Sequence, residues 1–302
     1  MTKILGGKIA KFATLLIAAL LVLTASLAFV GCETKRPEIS MKITFNGETY
    51  ELEYVLYRNM YPQTVAHYLE LIDMGYYDGT VIHDYQSSRM VGGGYYYESA
   101  DADIEDDLLE KDYDAATKEE NGNVTLDNVS VWADADKTEA YNTLYGEFSK
   151  NGFTVENNGL TNQLGALGTY YYTPVWTDSD APRVYVQLNS SSEMDTRYYC
   201  YNSTRSLFYM YTGSSGTETQ YCTFGLLKDS GDEETFQNLL DAIEEYTLET
   251  LNGGDEEGTE VFTTEVPRTI EDEYWDESSY EDVTFNVPRA KIVIEEVRVL
   301  KY

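Results

Sequence analysis

The chain has 302 residues, 42% of them hydrophobic, and a formal net charge of −32, long enough to bury one large core or two small ones. Acids number 53 against 21 basic residues, which argues against partners that are themselves polyanions, such as nucleic acid or a flat anionic lipid surface. Two histidines and three cysteines, with no close Cys or His spacing, leave little to hold a metal.

The predicted elements begin behind a leader. Lys3, Lys8 and Lys11 make a basic start without acids, Phe12 to Val30 is an uncharged apolar run, and Gly31-Cys32 follows. That order describes a secretory signal over residues 1–31. An uncleaved anchor fits the same run, because about 19 apolar residues just span a bilayer. Either reading puts the body outside the cytoplasmic membrane. Residues 32–40 are a short polar tether carrying Pro37. The body, 41–302, opens with alternation from Met41 to Tyr57 around Asn46-Gly47, a hairpin signal. Pro62 then starts a helix with Val65, Tyr68, Leu69 and Ile72 on one face and Gly75 at its end. Tyr77 to Ile82 and Met90-Val91 are predicted as short strands, the second running into Gly92-Gly93-Gly94.

Between about 96 and 142 the pattern changes. Asp101 to Glu120 holds ten acids and no sustained apolar period, as in an insertion with a solvated face. Strands are predicted at Gly165 to Thr169, Arg183 to Leu188 and Tyr221 to Leu227. The aromatic-rich Tyr198 to Thr212 is predicted as an extra hairpin within an insertion at about 190–216. Asp232 to Leu251 is an amphipathic helix with Phe236, Leu239, Leu240, Ile243 and Tyr246 on one face. Another acidic loop fills about 252–288, and Ala290 to Leu300 makes the last strand. Many short strands with two helices predict a mainly β fold, a closed antiparallel barrel with the helices capping it. Cys200 and Cys222 allow one bridge in an exported protein, at a distance that sequence does not supply.

Leu27-Ala28-Phe29-Val30-Gly31-Cys32 resembles a bacterial lipobox, which implies that Cys32 carries lipid after cleavage. In the body, four blocks in order resemble the cyclophilin family of peptidyl-prolyl isomerases. Tyr61-Pro62-Gln63-Thr64-Val65-Ala66-His67-Tyr68-Leu69 with Gly75 to His83 resembles its first helix and the strand ending in Phe-His-Arg. Met90-Val91-Gly92-Gly93-Gly94 resembles Met-Ile-Gln-Gly-Gly-Asp. Gly146-Glu147-Phe148 through Gly165-Ala166-Leu167 resembles the Gly-Glu-Phe segment and the strand after it, and Thr223-Phe224-Gly225 with its helix resembles the late Val-Phe-Gly strand and helix. Together these blocks cover about half of the mature chain.

The resemblance implies a cyclophilin-like barrel that needs no cofactor and acts on exported proline-containing polypeptides or a protein partner. An X-Pro bond isomerises slowly because rotation breaks amide resonance. The family holds the proline in an apolar pocket while an arginine donates to the twisting amide, stabilising the twisted state selectively. Here Asp84 follows His83 at the arginine position. Arg89 stands at a pocket phenylalanine, Met90 keeps the methionine, and Gly92 replaces the glutamine. Tyr95 replaces the acid after the glycines. Tyr170, Tyr171 and Tyr172 fill the small Ala-Asn-Ala stretch, Arg183 falls at the glutamine of Ser-Gln-Phe-Phe, Tyr185 at the pocket aromatic, and Tyr221 near the groove histidine. Two readings follow: a lipid-tethered extracytoplasmic isomerase that is weak or inactive, with Arg183 or Arg89 as a surrogate cation, or a non-catalytic peptide- or protein-binding module on a tyrosine-rich face.

Overall fold

The computed structural model describes residues 34–113, 130–132, 134–136, 140–147, 153, 155, 160–171, 183–186, 194–198, 202–213, 222–271 and 280–302. The leader with Cys32 lies outside them, as do Tyr172, Cys200 and Tyr221.

The first hairpin forms as its alternation dictates. Strands β1 (Glu38–Phe45) and β2 (Glu48–Leu56) pair antiparallel. Both residues of the connecting turn take positive φ, 48° at Asn46 and 84° at Gly47, the geometry that matches strand twist. Ile39, Met41, Ile43 and Phe45 point inward with Leu52, Tyr54 and Leu56. Helix α1 (Pro62–Asp73) has proline in its first turn and buries Val65, Tyr68, Leu69 and Ile72. Gly75, at φ +67°, ends the turn that follows it. Helix α2 (Ser230–Tyr246) is capped by Asp229, whose carboxylate accepts from the Gly231 N–H at 2.7 Å and the Asp232 N–H at 3.2 Å. It buries Phe236, Leu239 and Ile243 and passes into a π-helical turn over Thr247–Leu251, so the regular helix stops before the expected end.

The remaining strands are β3 (Thr80–Val81), β4 (Asp84–Gln86), β5 (Arg89–Gly92), β6 (Tyr95–Tyr96), β7 (Leu109–Glu110), β8 (Ser130–Trp132), β9 (Ala140–Tyr145), β10 (Leu167–Tyr171), β11 (Arg183–Val186), β12 (Asp195–Tyr198), β13 (Asn202–Tyr211), β14 (Thr223–Leu227), β15 (Thr263–Glu271), β16 (Tyr280–Pro288) and β17 (Ile292–Lys301). Among the described residues the main sheet runs β12-β11-β8-β9-β13-β10-β14-β2-β1-β17-β3-β6-β7, with β4 joined through β5 to β13. Among the described residues the fold is mainly β with two α-helices, as expected. The pairing is that of an open sheet whose path ends at β12 and β7, and the expected closed barrel is not seen as a continuous ring of paired strands.

Two segments expected in insertions carry strands. Asn202–Tyr211 is a ten-residue strand that pairs with β10, β5 and β9 and buries Phe208 and Met210 in the main core. Its abundance of aromatic residues is core packing, which a period-2 reading of a Tyr/Ser/Thr-rich stretch does not reveal. In the expected acidic loop, β15 and β16 form a nine-pair antiparallel hairpin that is a separate two-stranded sheet.

The main core cluster among the described residues joins the inner residues of β1 and β2, both helices, Phe208 and Met210 of β13, Phe224 of β14 and Ile292, Ile294 and Val297 of β17. The glycine run after β5 has a steric reason. Gly93 sits at φ +93° with a Cβ position 2.6 Å from the Ser206 carbonyl oxygen, where no side chain fits.

Candidate functional site

The site grows from a tight hairpin. Strands β4 and β5 pair Asp84 with Val91, Tyr85 with Met90 and Gln86 with Arg89. This brings Asp84 and Arg89, the first site residues in the chain, onto adjacent strands, linked through Gln86. The Asp84 carboxylate is only 7% exposed. Its Oδ1 accepts from the Asn286 backbone N–H at 2.8 Å and from Asn286 Nδ2 at 3.2 Å, and its Oδ2 accepts from Gln86 Nε2 at 2.6 Å. Both oxygens are therefore occupied as acceptors. Carboxylate oxygens are acceptors, and both of these are engaged within the chain. Gln86 in turn accepts from Arg89 Nε at 3.3 Å, and the Arg89 guanidinium lies 4.4 Å from the centroid of the Tyr209 ring.

Beside Asp84, His83 is buried between two rings, 4.3 Å from Tyr95 and 5.0 Å from Phe285 of β16. Burial drives its pKa down to about 3, against a smaller opposing pull from the Val81 backbone. Neutral imidazole thus belongs to this packing, and His83 acts as a structural residue at neutral pH.

The other expected site residues are dispersed. Met90 is fully buried in the main core, and a Cβ on Gly92 would lie 2.9 Å from Ile82 Cδ1, so neither offers a groove surface. Tyr170 is half-buried and packs 5.0 Å from Tyr209, which lies 6.1 Å from Tyr211; the last two are buried. These tyrosines form a packed cluster with Val91 and Ala166. Tyr171 ends β10. Arg183 is exposed and Tyr185 half-buried on β11, which pairs with β8 and β12, away from the β4–β5 hairpin in the sheet order. Cys222 is a buried free thiol 3.7 Å from Thr64 Oγ1, and burial pushes its pKa up. Its proposed bridge to Cys200 falls on a residue outside the described ones. Among the described residues no group of His, Cys, Asp and Glu is arranged to hold a metal.

Two functional contacts escape a reading of the sequence. Asn286 lies 202 positions from Asp84, and nothing in its neighbourhood marks it. Glu147, within the Gly-Glu-Phe block, is buried and accepts from the Thr64 N–H at 2.9 Å and the Gln63 N–H at 3.3 Å. It satisfies the first-turn donors of α1, whose N-cap Tyr61 supplies no side-chain acceptor. Desolvation outweighs these hydrogen bonds and raises its pKa above 4.5. A raised folded-state value means the native chain holds a proton that the unfolded chain has lost, so this contribution is full below 4.5 and declines as pH rises through the folded value. Glu147→Gln removes the titration. Its stability relative to wild type is expected to improve from pH 4.5 to pH 7.5 in urea unfolding, and a constant difference would contradict this assignment.

Comparison with known proteins agrees with the residue-level resemblance. The family model for cyclophilin type peptidyl-prolyl cis-trans isomerase/CLD matches residues 40–250. A solved cyclophilin type peptidyl-prolyl cis-trans isomerase of Cryptosporidium parvum is 12% identical, with 88% of this chain and 99% of that chain covered and a TM-score of 0.40. The Mimivirus cyclophilin is 14% identical, with 90% and 93% covered and a TM-score of 0.39. No curated protein matches the chain. The matched span takes in both helices and the β4–β5 hairpin and stops before β15 and β16, and on it the chain belongs to the cyclophilin-type peptidyl-prolyl isomerase family.

Proposed function

We propose that this chain is a lipid-tethered, extracytoplasmic cyclophilin-like protein whose isomerase activity is weak or lost. The observation that carries the catalytic half is Asp84. At the position of the family's amide donor stands a carboxylate whose two oxygens accept from Asn286 and Gln86. Such a group stabilises no developing charge on a peptide oxygen or nitrogen, and the donor it replaces accounts for about 3–4 kcal/mol of barrier lowering. Neither candidate surrogate fits well. Arg183 lies on β11, and Arg89 is engaged by Gln86 and Tyr209.

The barrel belongs to the same reading. Thr80–Val81 pairs with β17, the His83 N–H donates to the Val91 carbonyl at 3.0 Å, and Asp84–Gln86 pairs with β5. Taken as one interrupted strand, residues 80–86 close the ring β5-β13-β10-β14-β2-β1-β17. The tether rests on the leader and Cys32, and the partners on this reading are exported proline-containing polypeptides or a neighbouring protein.

Metabolic labelling with a fatty acid tests the address. The full chain is expected to take up label and Cys32→Ser to lose it; label retained by Cys32→Ser would refute lipidation at that residue. A coupled assay on an X-Pro peptide tests the activity, with turnover in the range of arginine-bearing family members as the contrary result.

A further inference from the structure

The β15–β16 hairpin lies beyond the matched family span, and it is fastened where the family performs its chemistry. Among the described residues it adds no ladder to the main sheet. Side chains hold it instead. At its edge, Asn286 presents its backbone N–H and its amide to Asp84 Oδ1. On one face, Phe285 packs on His83 and Tyr95, while Val266 and Val287 join Val81, Tyr95 and Leu108 in a small apolar cluster. On the other strand, Thr264 Oγ1 donates to Glu105 Oε1 at 3.0 Å and Arg268 to the Glu105 carbonyl at 2.8 Å. At the base, the Arg289 N–H donates to the Phe262 carbonyl at 2.8 Å, so the chain enters and leaves the hairpin at one point.

Resting on the functional reading above, we propose that this hairpin is an intramolecular strap, with Asp84 as its clasp, that closes the former arginine position to peptides. The replacement of arginine by aspartate is then a gain of a fastening residue as well as the loss of a donor. A cation at position 84 would face the Asn286 N–H and amide with no acceptor to offer them. A carboxylate satisfies both and caps an edge strand that, among the described residues, ladders only with β15. Because the strap is pinned by side chains at a hinge of adjacent ends, it is built as a unit that can lift without unpairing the main sheet.

Two measurements test the strap. In the full chain with Asp84→Ala, amide hydrogen exchange over 280–288 is expected to rise about tenfold or more, with β1 and β17 unchanged; unchanged exchange over 280–288 overturns the clasp. In the second, Asp84→Arg is compared in the intact chain and in a chain whose residues 263–288 are replaced by two glycines between the adjacent ends Phe262 and Arg289. Turnover of an Ala-Pro tetrapeptide is expected to be faster from the shortened chain, since Asp84→Arg loosens the hairpin in the intact chain but leaves its apolar face and its Glu105 contacts in place. Equal rates in the two chains, at any level, overturn the strap. Turnover by the unmodified protein would instead refute the functional reading and leave the exchange result standing.

Discussion

Between pH 7.5 and pH 4 the wild-type fold is expected to lose on the order of 3 kcal/mol that His83→Phe does not lose. The cause is desolvation. His83 is fully enclosed by Tyr95, Phe285 and the strand beneath them, and its pKa falls to about 3. In the unfolded chain it titrates near the ordinary imidazole value of 6.5. A depressed folded-state value for a base means that the unfolded chain binds the extra proton. The neutral ring's contribution is therefore complete above 6.5 and is lost as pH falls toward 3. The many carboxylates change in the same interval, and their protonation relieves self-repulsion in a chain of net charge −32. That background is common to both proteins, so the difference between their urea midpoints isolates His83. Parallel pH profiles would mean that the imidazole is hydrated in the native state.

The second large effect is on rate. Residues 33–302 are expected to isomerise an X-Pro peptide a hundred- to thousandfold more slowly than family members that keep the arginine, the deficit that follows from losing one well-placed donor of about 3–4 kcal/mol. Arg183→Ala and Arg89→Ala are expected to leave that residual rate unchanged. Arg183 is exposed on a strand outside the β4–β5 hairpin, and Arg89 is committed to Gln86 and Tyr209. A residual rate that fell with Arg89→Ala would transfer the donor role to that residue.

Local chemistry made much of the fold legible. Asn46-Gly47 announces its turn, Pro62 its helix, and the spacing of Phe236, Leu239 and Ile243 its buried face, because each signal lies within one or two turns of chain. What sequence reading misplaced depends on partners far away in the chain. Tyr209 and Tyr211, in a stretch expected as a hairpin within an insertion, are buried with Val91 and Ala166. Asn202–Tyr211 looks like an insertion because its other half is far away in the chain, β10 tens of residues and β5 more than a hundred residues before it. The hairpin at 263–288 is hidden in acidic sequence, since only Val266, Phe285 and Val287 face the small core it covers. The site divides in the same way. Asp84 stands out by the motif it breaks. Its partner Asn286 and the helix acceptor Glu147 have roles set by tertiary contact alone.

The central claim is that position 84 serves the fold and no longer serves amide rotation. Two-dimensional exchange NMR on an Ala-Pro peptide with stoichiometric protein tests it most directly, because it detects interconversion of the cis and trans signals even when turnover is low. The account predicts protein-driven cis–trans exchange a hundred- to thousandfold slower than an arginine-bearing family member gives at the same concentration, and equal exchange rates from the two proteins would contradict it.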